Sequence, residues 1–239
     1  MKYLILIAFL ANGYQLAAQH SGSDILRQTM TTYLQYDITS NTYESDTAQS
    51  KDTGESRALT FETSAGKLRL LSFGLRSERH DLKFSLNENS MGTHWRDLWV
   101  SYRLGWFYPS ITGTLADIQI QRVDGDYVDI FKASFGAGLA VKIPVMNSIL
   151  AFVDIRHYES PGKTKTTASE VSSETNRKLN ATLGSRTEGD IGASMDIIRE
   201  FLDFVVGYRV KSYTLSVESE ALSESQSGIY AGVRLGAYF

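Results

Sequence analysis

The chain has 239 residues, a formal net charge of −3 and no cysteine. The missing thiols exclude a disulfide framework, a cysteine nucleophile and thiolate metal sites. The slightly acidic balance gives no reason to expect nucleic acid or an anionic surface as a partner.

Residues 1–18 combine Lys2, an apolar run from Tyr3 to Ala11 and the small pair Ala17 and Ala18. That is the layout of a cleavable export signal, leaving 19–239 as a single mature domain. Leu16 is larger than the small residue preferred three positions before cleavage, so the cut is open by a residue or two. No stretch approaches the roughly 20 apolar residues of a spanning helix.

From Met30 onward, segments of period two recur, as expected of strands with two unlike faces. Segment 30–40 sets Met30, Leu34, Tyr36 and Ile38 against Tyr33, Gln35 and Asp37. Residues 57–77 read as one long strand or as a hairpin of two, because Leu59 and Phe61 run in phase with Leu71, Phe73 and Leu75 across the interruption Ala65-Gly66-Lys67. Segment 80–87 alternates Leu82, Phe84 and Leu86 with Asp81, Lys83 and Ser85, and 95–105 turns Asp97, Trp99, Ser101 and Arg103 inward. Segment 109–121 changes phase between Leu115 and Ile118, which predicts a bulge.

Further along, 127–142 sends Phe131, Phe135 and Leu139 outward, and 147–158 does the same with Ile149, Val153 and Ile155. The cleanest alternation is in 178–196, where Leu179, Ala181, Leu183, Ile191, Ala193 and Met195 oppose Lys178, Asn180, Arg186, Glu188, Asp190 and Asp196. Segment 201–215 places Leu202, Phe204, Val206, Tyr208 and Val210 on its apolar face. The helical spacing of Ile197, Ile198, Phe201, Leu202 and Val205 competes locally and allows a short helical piece. In 228–239 every odd position from Ile229 to Phe239 is apolar.

These segments, with the export signal and the terminal aromatic, predict an all-β antiparallel transmembrane barrel of about ten strands. Eight or twelve also fit an even count. The connections 43–56, 159–176 and 216–227 are long, Ser/Thr-rich and mostly acidic, whereas 143–146 and 197–200 are short. Long loops outside and short turns inside the cell envelope place both mature termini in the periplasm.

The mature chain resembles the small bacterial outer-membrane β-barrels of the porin-like and opacity type. The resemblance implies residence in the outer membrane, contact with its lipid, and delivery through the barrel-assembly machinery by the C-terminal strand ending in Phe239.

The inward set carries both charge signs. Glu188 and Asp190 face Arg209 and Lys211 across one hairpin, Arg186 lies on the same face, and Arg234 meets Asp37 if the last strand closes on the first. An unpaired charge in a narrow lumen is costly, so these seven residues are expected to form a network. Barrels of about eight strands are filled by side chains, which favours a plugged lumen. A narrow polar pore for a small solute or ion is the sharper alternative. Most aromatics, among them Trp95, Trp106, Tyr158, Tyr208 and Tyr213, are expected in interfacial girdles, with Trp99 inward by parity.

Neither catalytic nor metal residues, nor a cofactor, emerge. His20, His80, His94 and His157 lack metal-ligand spacing, and Asp124, Asp126 and Asp129 lack the calcium-loop pattern. Asp97, Asp154 and His157 fall toward the expected extracellular rim, where ten-stranded omptin-type proteases work, but Asp154 and His157 stand on opposite faces of a strand. A lipid hydrolase would need a Ser–His pair on the outer wall, and His157 has no evident serine partner. The sequence therefore predicts a non-enzymatic barrel, with a rim-located hydrolase as the alternative.

Overall fold

The computed structural model describes residues 30–46, 50–65, 70–84, 89–122, 125–146, 148–160, 179, 181–198, 201–218 and 220–238. Ten strands follow one another: β1 (Met30–Ser45), β2 (Ser50–Ala65), β3 (Leu71–Lys83), β4 (Ser90–Tyr102), β5 (Phe107–Gln121), β6 (Tyr127–Met146), β7 (Ile149–Glu159), β8 (Ala181–Ile198), β9 (Leu202–Val217) and β10 (Glu220–Tyr238). Each pairs antiparallel with its neighbours in sequence, and β1 pairs with β10 to close the barrel. Closure leaves no unpaired edge, which hydrocarbon would not tolerate. The export signal read in 1–18 lies outside the described residues, as does Phe239.

The outer wall carries a continuous apolar belt. Ile38, Leu75, Val100, Ile111, Phe135, Ile191, Val206 and Val233 all face out and are exposed, Ile111 by 76%. An uninterrupted belt of this kind is far larger than the apolar patches soluble proteins expose. With its even strand number and polar interior, this is the architecture of a bacterial outer-membrane barrel.

The strands are longer than the bilayer requires. β1 and β2 have 16 residues each, which at about 3.4 Å per residue and a tilt near 40° reach about 40 Å, against a belt of about 25 Å. The surplus rises at the end opposite the termini, called here the hairpin end. There the polarity of the wall inverts: Asp81, Lys83, Gln119 and Gln121 face out, while Met91, Ile118, Ile120 and Val128 are buried inside. Water instead of lipid bathes this part of the wall, so the apolar side chains turn inward.

Inversion explains several departures from the sequence reading. The phase change in 109–121 is not a bulge, because β5 pairs with β4 and β6 without a register shift. Leu115 faces lipid, and Ile118 is fully buried above it. Segment 57–77 is two strands, and the second continues through 80–83 with Leu82 and Phe84 facing in rather than out. The stretches 43–56 and 216–227, expected as long loops, are mostly the paired arms of the β1–β2 and β9–β10 hairpins. Residues 161–176 of the third expected loop lie outside the described residues. Ile197 and Ile198 end β8 and Val205 belongs to β9, so the competing helical spacing is not used.

The cleanest strand of the sequence hides a true bulge. In β8 the register against β9 shifts between Leu183 and Arg186. One extra residue flips the face, so Leu179, Ala181 and Leu183 are core residues while Ile191 and Met195, of the same parity, face lipid. Since the chain has no native cysteine, single-cysteine variants read this directly. In lipid vesicles, Ile191→Cys is expected to react with a membrane-soluble maleimide and Leu183→Cys to stay protected. Equal labelling of the two would contradict the flip.

Candidate functional site: the filled lumen

Three layers of side chains occupy the barrel interior. At the hairpin end an apolar plug joins Tyr43, Phe84, Trp95, Ile118, Leu183, Tyr213 and Leu215, all nearly or fully buried. Trp95 and Tyr213 meet edge to face with centroids 5.1 Å apart. The expectation that Trp95, Tyr158 and Tyr213 sit in aromatic girdles is therefore corrected: all three are lumen residues. Their parity was that of the inner face, and their position near strand ends hid it.

Below the plug lies a layer of buried ions. Asp97 accepts hydrogen bonds from Arg76 at 2.9 Å and from Arg186 at 2.8 Å. Glu188 bonds the same two arginines, at 2.9 Å from Arg186. Arg209 reaches Asp190 at 3.1 Å, Asp37 at 3.4 Å and Glu78 at 3.6 Å, and Lys211 pairs with Glu78 at 3.0 Å. Five carboxylates (Asp37, Glu78, Asp97, Glu188, Asp190) thus meet four cations (Arg76, Arg186, Arg209, Lys211) in one connected set. Tyr230 donates to Asp190 at 2.8 Å.

Aromatic faces complete the packing of this layer. The Arg186 guanidinium lies 4.4 Å from the Trp95 ring centre and 4.3 Å from that of Tyr158, and Arg209 stacks 4.6 Å from Tyr230. Sandwiching desolvated cations between rings recovers part of the hydration they lose. It also couples the ionic layer to the apolar plug, because Trp95 belongs to both.

Toward the terminal end a small polar cavity of about 90 Å³ remains, lined by Glu62, Trp99, Asp154, Arg156 and Arg234 among others. Trp99 points inward and supports Arg156 at 4.0 Å. Gly74, directly opposite Trp99 in the register, makes room for it, since a Cβ there would fall 2.0 Å from the indole. Arg156 pairs with Asp154 at 2.5 Å and Lys142 with Glu62 at 3.3 Å.

All seven residues named from the sequence face the lumen, but not with all the expected partners. Asp37, Arg186, Glu188, Asp190, Arg209 and Lys211 come together in the ionic layer. Arg234 does not meet Asp37: its register partner is Gln35, which accepts from it at 2.9 Å, and Asp203 lies 3.6 Å away. Sequence reasoning missed Arg76, Glu78 and Asp97 as members. Arg76 and Glu78 alternate with Leu75 and Ser77, a usable signal that was lost when β3 was split between two segments.

Asp97 and Asp154 are not at the rim. Asp97 is fully buried in mid-lumen, and Asp154 lines the cavity near the terminal end. The outer wall does hold two hydroxyl–imidazole contacts. Ser77 Oγ and His94 Nε2 are 2.8 Å apart, but an Arg96 N–H donates to His94 Nδ1 at 3.0 Å. A guanidinium only donates, so neutral His94 carries its proton on Nε2 and donates it to Ser77. That is the wrong tautomer for a general base. His157 Nδ1 meets Thr187 Oγ1 at 2.8 Å, with Glu159 3.7 Å from Nε2. Thr187 lies inside the ladder between β7 and β9, where backbone N–H groups are committed to pairing rather than to an oxyanion.

No protein-family model matches the chain, and no curated protein does. Among solved structures, it is similar to Neisserial surface protein A (12% identity, 85% of this chain and 96% of that one, TM-score 0.39). It is also similar to the translocator domain of autotransporter NalP from Neisseria meningitidis (12%, 94% of both chains, 0.47). A third is the outer membrane protease OmpT from Escherichia coli (6%, 88% and 96%, 0.49).

Proposed function

We propose that this chain is a non-enzymatic integral protein of the bacterial outer membrane whose lumen is sealed by its own side chains, and that it works through its surface rather than by conduction. The observation that supports this reading is the stacking of the apolar plug on the ionic layer, since a solute would have to displace both. The hairpin end is the extracellular one, with β1–β2 and β9–β10 rising above the lipid, and the termini lie in the periplasm. The C-terminal strand β10 is the contact for the assembly machinery. The tautomer of His94 and the ladder-bound Thr187 weigh against a hydrolase.

Reconstituted in liposomes, the protein is expected to leave an entrapped small dye and a sugar as well retained as in protein-free vesicles. Release of either at a rate that rises with protein content would overturn the sealed reading in favour of a pore.

A further inference from the structure

Three arginines, a serine and a histidine gather on one sector of the outer wall, immediately above the apolar belt. Arg57 follows Leu59 on the outward face of β2, Ser77 and Arg79 follow Leu75 on β3, and Arg96 and His94 stand above Leu98 on β4. The register sets Arg57 directly opposite Arg79, Arg79 opposite His94, and Ser77 opposite Arg96. Like charges directly opposed across a ladder destabilise it.

Three outward acids flank this cluster, Glu55 on β2, Asp81 on β3 and Asp117 opposite His94 on β5, but among the described residues only Asp81 forms an ion pair with one of the arginines. Arg79 pairs with Asp81 at 2.9 Å, on side chains 70% and 65% exposed. Arg96 rests on His94, and Arg57 makes no side-chain hydrogen bond or ion pair among the described residues. Elsewhere around the barrel, the first outward position above the belt is Ser40, Asp117, Asp129, His157, Gly189, Ser212 or Ser227. The arginines are confined to β2–β4.

We propose that this sector binds the phosphate groups of a phosphorylated lipid headgroup in the outer leaflet, an inference that rests on the membrane-embedded reading above. Guanidinium groups present paired N–H donors that match phosphate oxygens, and a phosphate between Arg57 and Arg79 converts their repulsion into two ion pairs. Ser77, whose oxygen accepts from His94, keeps its own hydroxyl proton to donate. The height just above the belt is that of the headgroups, so the acyl chains of the same lipid lie against Leu59, Leu75 and Leu98.

The test uses the full mature protein in phosphatidylcholine nanodiscs doped with diphosphorylated lipid A, with lipid retained on detergent release read by native mass spectrometry. Wild type is expected to keep lipid A. The R57A/R79A/R96A variant should lose at least about tenfold in retention, as expected for charge-assisted contacts removed together. Arg57→Ala alone, which deletes an exposed side chain, should move in the same direction and serves if the triple variant folds poorly. Lys51→Ala, farther out on β2, should behave as wild type. Equal retention by wild type and Arg57→Ala, or retention undiminished for dephosphorylated lipid A, would overturn the proposal. Displacement of lipid A by inorganic phosphate at matching concentration would assign the site to a free anion and also overturn it. A wild type that fails to enter nanodiscs at all would refute the membrane reading and the site with it.

Discussion

Arg186→Ala is expected to cost about 3–5 kcal/mol of unfolding free energy in lipid, the range for stranding a buried charge by removing its partner. Arg186 is 1% exposed and bonds Asp97, Glu188 and Thr114. Its loss leaves the ionic layer with five carboxylates and three cations, and empties the space between Trp95 and Tyr158. Arg186→Ala combined with Glu188→Ala should cost less than the sum of the two single changes, because the second removes a carboxylate that the first has stranded. The same coupling is expected between Arg209→Ala and Asp190→Ala, whose side chains meet at 3.1 Å. Urea unfolding in vesicles measures both cycles. Strictly additive losses would mean that these charges are hydrated and act independently, which a filled lumen forbids.

Ala193→Arg is the corresponding test of the outer wall. Ala193 pairs with Ala151 and Val206, and on the outward face of β8 it lies between Ile191 and Met195, near the middle of the belt. Arginine at the bilayer midplane of a barrel costs about 2–4 kcal/mol, so folding yield in liposomes should fall sharply. Val210→Arg, one row from the polar wall that begins at Ser212, should be milder. If the two fold equally well, the belt is not where the wall places it.

The legibility of this fold in its sequence follows the medium outside each residue. Where lipid faces lumen, alternation is unambiguous, and Leu202, Phe204, Val206, Tyr208 and Val210 could be assigned outward correctly. Above the belt the outside is water and the inside is oily, so the same alternation carries the opposite meaning. Ile118 looked like a lipid residue out of register for this reason, as did Leu82 and Phe84. A one-residue bulge is still harder to see, since Leu183 and Ile191 share parity and composition and differ only in the count of residues between them.

The ionic layer was legible where its members are neighbours along one hairpin, as Asp190 and Arg209 are. It was not legible where Arg76, Glu78 and Asp97 reach Glu188 and Arg209 from strands across the barrel. Such contacts depend on barrel closure and strand stagger, which the pattern of a single strand does not encode. Arg234 shows the same limit at short range. Its partner changed from Asp37 to Gln35 because the register between β1 and β10 differs by two residues from the one parity alone suggested.

In planar bilayers, purified protein inserted at high copy number is expected to leave the membrane without discrete conductance steps across a wide range of applied voltage, since ions would have to cross both the apolar plug and the Arg186–Asp97–Glu188 layer. Reproducible single-channel steps from the unmodified protein, with ion selectivity altered by Arg186→Ala or Asp97→Asn, would show an open path through that layer and contradict the account.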